Sequence, residues 1–317
     1  MKILNRFFFG LIAFSFISCD DILEEDITND MVQVTTPLSN AVIESNVVNF
    51  RWNALDGADK YRIQVYGNNQ AMVLDTLVNP SSFTYPMRSG NFQWRIRGEN
   101  SAYQSSYSFP IPFTVIETDN LDNQEVILSL PRSGRYFNSV PVTCSWQALK
   151  AAKKYELILT NDSNGDVITK SDLTATQVVF SATELSQDAK YTWKVRAIND
   201  STSTLFFTRD FYLDRVLPNQ PQGISPANNA RYNANLQIDF NWSMATDNGA
   251  VRSPISYEIE FSRESNFSNI FQTSNVNILS FQQVFNETGD YFWRVRAKDE
   301  ASNVGTYSSI YKFTINQ

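Results

Sequence analysis

The sequence contains no histidine among its 317 residues. This absence removes the commonest general base and the commonest transition-metal ligand together. The chain also lacks a Gly-rich phosphate-binding loop, a Ser-His-Asp set and a G-x-S-x-G motif. Glycine is scarce, with 11 residues, which disfavours a flexible low-complexity stalk. These absences indicate a protein that is not an enzyme and that needs no cofactor.

The first 18 residues have the composition of an export signal. Lys2 and Arg6 form a short basic region, and an apolar run follows from position 7 to position 17. A membrane-spanning helix needs about 20 apolar residues, so this run is too short to cross a bilayer. It ends just before Cys19. Residues 1–18 are therefore predicted to be a lipoprotein signal peptide that is removed on export.

The segment Phe16-Ile-Ser-Cys19 resembles a bacterial lipobox, although Phe16 replaces the usual leucine at its first position. The resemblance implies that Cys19 becomes a lipidated N-terminal residue. The lipid on Cys19 would then attach the chain to a membrane, because each buried methylene of an acyl chain contributes about 0.8 kcal/mol. An ordinary secretory peptide with an incidental cysteine is the alternative.

Residues 19–31 are predicted to form the lipidated cysteine and a solvated acidic tether. Within them, six acidic side chains and no basic one occur, at Asp20, Asp21, Glu24, Glu25, Asp26 and Asp30. This cluster is similar to the export signal of Bacteroidota surface lipoproteins, which implies a location on the outer membrane, facing the cell exterior. In an enterobacterial chain, Asp20 would instead imply retention in the inner membrane.

The six tryptophans mark an internal repeat. They stand at positions 52, 94, 146, 193, 242 and 293, and equivalent members are about 97 residues apart. A period of this length indicates three copies of a domain-sized unit. Each copy opens with a proline (Pro37, Pro131 and Pro226). Alternation of apolar and polar residues within the copies predicts strands with one buried face.

Every copy places tryptophan on an early strand, tyrosine at the start of the next strand and a second tryptophan on a late strand. The late strands read Phe92-Gln-Trp-Arg-Ile-Arg-Gly, Tyr191-Thr-Trp-Lys-Val-Arg-Ala and Tyr291-Phe-Trp-Arg-Val-Arg-Ala. This order resembles the fibronectin type III pattern over nearly all of residues 32–316. The resemblance implies an all-β chain of three tandem immunoglobulin-like (fibronectin type III-like) β-sandwiches. They are placed at residues 32–116, 125–214 and 220–317.

Cys144 takes the position that Phe50 and Phe240 hold in the other copies, two residues before the first tryptophan. Side chains at i and i+2 of a strand share a face, so Cys144 is predicted to be a small core residue and not a reactive thiol. The recurrence of the tryptophans likewise predicts core packing and not sugar-binding platforms. Lipidation of Cys19 would leave no partner for Cys144, which excludes disulfide-bonded immunoglobulin domains.

The outer face of each late strand is basic. In two copies, glutamates of the neighbouring strand are expected to pair with these bases (Glu156, Glu258 and Glu260). The neighbouring strand of the first copy offers Arg62 and Gln64 instead, so Arg62, Arg95 and Arg97 are expected to lack acidic partners there. These three arginines form a candidate interaction face for an acidic protein surface, an anionic glycan or membrane headgroups. A solvated face, or an acid supplied by a loop, is the alternative.

Three residues of the third copy are a candidate calcium site. Asp247 lies between its first two long strands, and Asp299 and Asn303 follow its late strand. Loops of this kind meet at one end of the sandwich, so their hard oxygen atoms are expected to converge. The alternative is that they are ordinary turn residues, because the chain has no EF-hand calcium loop. No other metal site is predicted.

The predicted function is therefore non-catalytic. The chain is expected to be a structural or protein-interaction lipoprotein, with a protein partner in an outer-membrane complex. A glycan-binding accessory of polysaccharide uptake is the main alternative. An unrecognised hydrolase would need two carboxylates in one cleft. Nucleic-acid binding is disfavoured, because the acidic chain has no continuous basic stripe.

Overall fold

The structure, a computed structural model, describes residues 24–79 and 81–317. The predicted signal peptide and Cys19 lie outside the described residues. The described part of the chain folds into 24 β-strands and contains no α-helix. No helix there is long and apolar enough to cross a membrane. Two compact units divide the chain, the first ending at Ile116 and the second running over Glu117–Gln317.

The first unit contains one sandwich. Its strands are β1 (Val34–Thr36), β2 (Ala41–Ile43), β3 (Val47–Trp52), β4 (Lys60–Gly67), β5 (Met72–Val78), β6 (Ser82–Pro86), β7 (Gly90–Glu99) and β8 (Ile111–Val115). β1, β3 and β6 form one sheet, and the other has the order β2-β8-β7-β4-β5. The β2–β8 pair is parallel, and the other strand pairs of this sandwich are antiparallel.

The second unit contains two further sandwiches. The strands of the second sandwich are β9 (Leu128–Leu130), β10 (Arg135–Phe137), β11 (Val142–Trp146), β12 (Lys154–Asn161), β13 (Val167–Leu173), β14 (Gln177–Phe180), β15 (Ala189–Ile198) and β16 (Phe207–Leu213). Those of the third are β17 (Gly223–Ser225), β18 (Ala230–Asn233), β19 (Gln237–Trp242), β20 (Ile255–Ser262), β21 (Ile270–Val276), β22 (Ser280–Val284), β23 (Gly289–Asp299) and β24 (Tyr311–Asn316).

All three sandwiches have the same topology. The small sheets are β9-β11-β14 in the second and β17-β19-β22 in the third. The large sheets are β10-β16-β15-β12-β13 and β18-β24-β23-β20-β21, each again with a parallel first pair. The repeat that the sequence predicts is therefore a repeat of strand order. The chain is all-β and consists of three tandem two-sheet sandwiches.

The tryptophans fill the three cores, as their spacing predicts. Those of the late strands, Trp94, Trp193 and Trp293, are fully buried. Those of the early strands, Trp52, Trp146 and Trp242, are at most 4% exposed. In the first core, Phe50 packs edge-on against Trp94 with a ring-centroid separation of 5.0 Å. Each sandwich thus buries two indole rings between its sheets, and such large aromatic areas dominate core energetics.

The tyrosine that begins the strand after the early tryptophan closes a loop in every copy. Its hydroxyl accepts a hydrogen bond from a backbone N–H six or twelve residues upstream, at 2.9 Å in Tyr61–Leu55, 2.8 Å in Tyr155–Leu149 and 2.9 Å in Tyr257–Ala245. The ring itself is buried against the early tryptophan. Tyrosine suits this position because its ring packs in the core while its hydroxyl accepts a hydrogen bond from a loop N–H that would otherwise be unpaired.

The described part of the acidic tether keeps Glu25, Asp26 and Asp30 exposed, but it is attached to the first sandwich at one point. Ile27 is fully buried at the end of the first sandwich. It packs beside Gly57, where any side chain would collide with Ile27, and Gly57 has a φ of +74°. The side chain of Asn100 also donates to the backbone oxygen of Glu25 at 2.9 Å. Counting charges alone did not predict that Ile27 attaches this segment to the domain.

Cys144 is fully buried, and burial raises the pKa of its thiol. We therefore expect a maleimide to leave Cys144 unmodified in native buffer and to label it completely in denaturant, as measured by mass spectrometry. The matched control is Ser145→Cys, because position 145 is only half-buried on the same strand. Both proteins would lack Cys19. Rapid native labelling of Cys144 would contradict its core position.

Candidate functional site

An acidic residue precedes each sandwich at the same distance. Glu25, Asp119 and Asp214 each lie nine residues before the first strand of their sandwich. The backbone oxygen of each accepts a hydrogen bond from an asparagine side chain in the loop after the late strand: Asn100 at 2.9 Å, Asn199 at 2.8 Å and Asn303 at 2.8 Å. An asparagine thus fastens the incoming segment to the end of every sandwich.

The three copies differ in what they bury at this end. In the first two, the residue two positions after the acid is fully buried (Ile27 and Leu121), and the acid itself is exposed. In the third, Val216 is 37% exposed, and the side chain of Asp214 is fully buried instead. The third sandwich has therefore exchanged an apolar contact for a buried carboxylate.

Asp214 meets two further buried carboxylates. Asp247 comes from the loop between β19 and β20, and Asp299 is the last residue of β23. Both are 7% exposed, and one carboxylate oxygen of each of the three residues lies within 4.8 Å of the others. We call Asp214, Asp247 and Asp299 the carboxylate cluster.

Neutral donors surround the carboxylate cluster. Asp214 accepts from the Ser253 hydroxyl at 2.8 Å, and Asp247 accepts from the Ser253 backbone N–H at 3.1 Å. Asp299 accepts from the backbone and side-chain nitrogens of Asn303 at 2.7 Å and 2.8 Å. Among the described residues, no lysine or arginine forms an ion pair with any member of the cluster. The negative charges are therefore hydrogen-bonded but not neutralised.

Burial raises the pKa of Asp214 to about 6, and the neighbouring charges of Asp247 and Asp299 act in the same direction. Such a site favours whatever supplies positive charge, either a proton or a hard cation that prefers oxygen ligands. The residues able to hold a cation are the three carboxylates, with the Ser253 hydroxyl beside them. The structure brings Asp247, Asp299 and Asn303 together, as the sequence suggests. Calcium binding by them stays a prediction.

The sequence reasoning missed Asp214 and Ser253. Asp214 was assigned to the end of the second domain, because it directly follows β16. Its equivalence to Glu25 and Asp119, at constant spacing from the next strand, is a signal in the sequence that points to the third domain. Ser253 lies in a loop without a distinctive motif, so no comparable signal exists for it.

The cluster belongs to a joint between the second and third sandwiches. The backbone N–H of Asp214 donates to Phe137 of the second sandwich at 2.8 Å, while its side chain accepts from Ser253 of the third. The next residue, Arg215, forms an ion pair with Asp188 of the second sandwich at 2.5 Å. Asp214 therefore connects both sandwiches by polar contacts, and Arg215 attaches the linker to the second sandwich.

The second candidate site is the outer face of the large sheet of the first sandwich. The expectation that Arg62 and Arg97 lack acidic partners is wrong. Arg62 pairs with Asp75 and Glu99, at 2.9 Å each, and Arg97 pairs with Glu99 at 2.7 Å. The acids were missed because the sequence reasoning considered only the neighbouring strand β4. Asp75 lies one strand further out, on β5, and Glu99 lies at the end of β7 itself.

The expected pairs of the other two copies are present. Arg196 pairs with Glu156, Arg294 with Glu260 and Arg296 with Glu258. An aromatic ring from the following loop covers the two cations of each late strand. The rings are Tyr107 over Arg95 and Arg97, Phe206 over Lys194 and Arg196, and Tyr307 over Arg294 and Arg296. This cation–π cover, worth about 0.5–2 kcal/mol per contact, repeats in all three sandwiches.

Comparison with known proteins gives a similar structure but no family. No family model matches the chain, and no curated protein matches it. Among solved structures, the chain is similar to a crystal structure of chicken CNTN1 FN1–FN3 domains. The sequence identity is 15%, the TM-score is 0.48, and the alignment covers 90% of this chain and 98% of that one. The assignment of three tandem immunoglobulin-like, fibronectin type III-like sandwiches rests on the sheet topology described above.

We expect Asp214→Asn to raise the melting temperature of the third sandwich at pH 7.5 in the absence of divalent cations. The substitution removes one of three buried, mutually repelling charges. It keeps both hydrogen bonds of this side chain. The asparagine oxygen accepts from the backbone N–H of Val216, and the asparagine nitrogen donates to the Ser253 hydroxyl, which becomes the acceptor. Differential scanning calorimetry of the full chain measures the change. The matched control is Asp119→Asn at the equivalent exposed position, which should leave the melting temperature unchanged.

Millimolar calcium provides the second arm of this test. If the carboxylate cluster binds calcium, the cation should raise the melting temperature of the wild-type chain and of Asp119→Asn, but not of Asp214→Asn. Equal calcium responses of all three proteins would contradict calcium binding at the cluster. A stabilised Asp214→Asn together with no calcium response would assign the cluster to proton binding alone.

Proposed function

We propose that this chain is a non-catalytic lipoprotein that is anchored through Cys19 and faces outward from the outer membrane. It acts there as a structural or protein-interaction module, as a subunit of an outer-membrane complex. The observation that carries the proposal is the bonded joint between the second and third sandwiches. A module that presents a contact face needs its domains held in register, and a bonded linker serves that purpose better than a free one.

The bonds of the joint involve the linker backbone as well as its side chains. Asp214 donates from its backbone to Phe137, and Val216 donates to the Asp214 carboxylate at 3.2 Å. Asn219 and Thr246 form a further backbone hydrogen bond at 2.9 Å within the third sandwich. Each bond removes a rotational freedom from the linker, and the two sandwiches fall within one compact unit. Such a joint supports a structural role.

The placement of the carboxylates supports a non-catalytic role. An open depression of about 610 Å³ lies beside the carboxylate cluster, lined by Asp247, Ser253, Met244 and Leu279 among others. Among the described residues, Asp247 is the only carboxylate that lines it. Hydrolysis of a glycosidic bond needs two carboxylates facing one substrate, and this depression offers one. The glutamates on the outer sheet faces, Glu156, Glu258 and Glu260, are paired with arginine and do not line this depression.

The anchoring part of the proposal predicts that Cys19→Ala moves the protein from the membrane fraction to the soluble fraction. Without the thioether-linked lipid, the mature chain has no acyl chain to bury in the bilayer. Detergent phase partitioning and immunoblotting of cell fractions measure the change. Membrane association of Cys19→Ala at the wild-type level would contradict a lipid anchor. The matched control is Cys144→Ser, which removes the other cysteine and should leave the protein in the membrane fraction.

The surface-facing part has a separate test. Protease added to intact cells should degrade the wild-type protein and spare a periplasmic marker. A variant with Asp20, Asp21 and Asp26 changed to asparagine should keep its lipid but become resistant, since the acidic segment would no longer direct export. Resistance of the wild-type protein in intact cells would overturn the outward orientation and leave the lipid anchor unaffected.

A further inference from the structure

Arg95 carries a charge that no carboxylate neutralises among the residues that the structure describes. Its Nε donates to the side-chain oxygen of Gln64 at 2.9 Å, and a terminal nitrogen donates to the Tyr66 hydroxyl at 3.1 Å. A guanidinium has five N–H donors, so three of them find no acceptor in the described part of the chain. Gln64 is only 8% exposed, so the cation rests on a buried neutral amide.

The equivalent arginine of the third sandwich has the acidic partner that Arg95 lacks. In the strand register, Arg95 lies opposite Gln64, and the equivalent Arg294 lies opposite Glu260. The Glu260 carboxylate binds Arg294 at 2.7 Å. Two copies of one fold thus hold an arginine at the same rung of the same sheet, with a carboxylate against one and an amide against the other.

The first sandwich has its carboxylate one strand further out. Asp75 lies opposite Gln64 on β5, at the position that Thr273 holds in the third sandwich. From there it pairs with Arg62 and accepts a hydrogen bond from Gln64, but it forms no ion pair with Arg95. The Asp75 carboxylate therefore lies in the same sheet, but one strand away from the position opposite Arg95.

Two tyrosine rings hold Arg95 in place. Its guanidinium carbon lies 4.2 Å from the ring centroid of Tyr107 and 5.5 Å from that of Tyr66. The second sandwich has Lys194 at this rung, opposite Ile158, with its ammonium 4.9 Å from Phe206. A lysine there is a flexible point charge, whereas the planar fork of Arg95 is oriented in advance for a carboxylate.

The surroundings of Arg95 favour a protein as the bearer of that carboxylate. Met72 lies opposite Tyr66 and is 54% exposed, and Leu77 lies opposite Arg62 and is 39% exposed. Tyrosine, methionine and arginine are the residues enriched at the centres of protein interfaces. Arg95 occupies one face of each neighbouring tyrosine ring, which leaves less aromatic surface for a sugar to stack on.

We propose that Arg95, between Tyr66 and Tyr107, is the docking point for a carboxylate side chain of an acidic protein partner. The proposal rests on the proposed function as a protein-interaction module and specifies which face the partner contacts. The incoming carboxylate would supply the ion pair that Glu260 supplies within the third sandwich. The neighbouring Met72 and Leu77 would be covered by apolar side chains of the same partner.

The test measures binding of poly-L-glutamate to the soluble full chain by isothermal titration calorimetry at low salt, with polygalacturonate as a carboxylate polymer of different backbone. The informative variant combines Gln64→Glu with Asp75→Thr. It moves one carboxylate next to Arg95 as in the third sandwich and leaves the net charge unchanged. Binding of poly-L-glutamate should weaken about tenfold, because Arg95 would already be paired.

Two single variants test the proposal independently of whether the double variant folds. Arg95→Gln should also weaken poly-L-glutamate binding about tenfold, whereas Arg97→Gln, which removes the same charge from a residue already paired with Glu99, should change it less than threefold. Equal binding by all variants, or no binding by the wild type, would overturn the proposal. Loss of polygalacturonate binding alone would overturn it in favour of a glycan. None of these results depends on the membrane anchor.

Discussion

The late strand of each sandwich fixes which side chains its larger sheet turns to the core and which it turns to the solvent. Strict alternation along β7, β15 and β23 turns a tryptophan and its neighbours inward and turns the residues between them outward. Truncating a buried tryptophan costs about 3–5 kcal/mol, so the inward set fixes the register of the strand. The outward residues then have no freedom of position. In all three copies the two outward residues that follow the tryptophan are cations, and they lie on the surface of the larger sheet.

The three copies meet this demand with different partners. The third uses glutamates on the neighbouring strand, and the second uses Glu156 and an apolar contact. The first draws on Asp75 and Glu99 and leaves Arg95 with neutral partners. An aromatic ring from the next loop covers the cations in every copy. The copies therefore differ mainly in where their charges lie, while each keeps two buried tryptophans and an aromatic cover over the cations.

The ends of the sandwiches show a similar pattern of shared frame and local change. In each copy, an asparagine side chain donates a hydrogen bond to the backbone oxygen of an acidic residue in the segment that precedes the sandwich. Of these three acidic residues, only Asp214 in the third copy is buried, and its carboxylate lies beside those of Asp247 and Asp299. The resulting excess of negative charge lies where the linker contacts both sandwiches. Protonation or cation binding there would act directly on the joint, because the same residue belongs to the cluster and to the linker.

The number of sandwiches, their strand periodicity and the core positions of the tryptophans and Cys144 were predictable from the amino-acid sequence. So were the cross-strand ion pairs of the second and third copies. These follow from spacing and alternation, which are properties of a single strand and its neighbour. The partners of Arg62 and Arg97, the burial of Ile27 and the arrival of Asp214 beside Asp247 were decided only by the tertiary structure. The partners of Arg62 and Arg97 lie on β5 and on β7 itself, so side-chain geometry selects among several nearby acids. Ile27 and Asp214 come from segments that precede the repeated strands, and no periodicity along the chain records which side chains meet there.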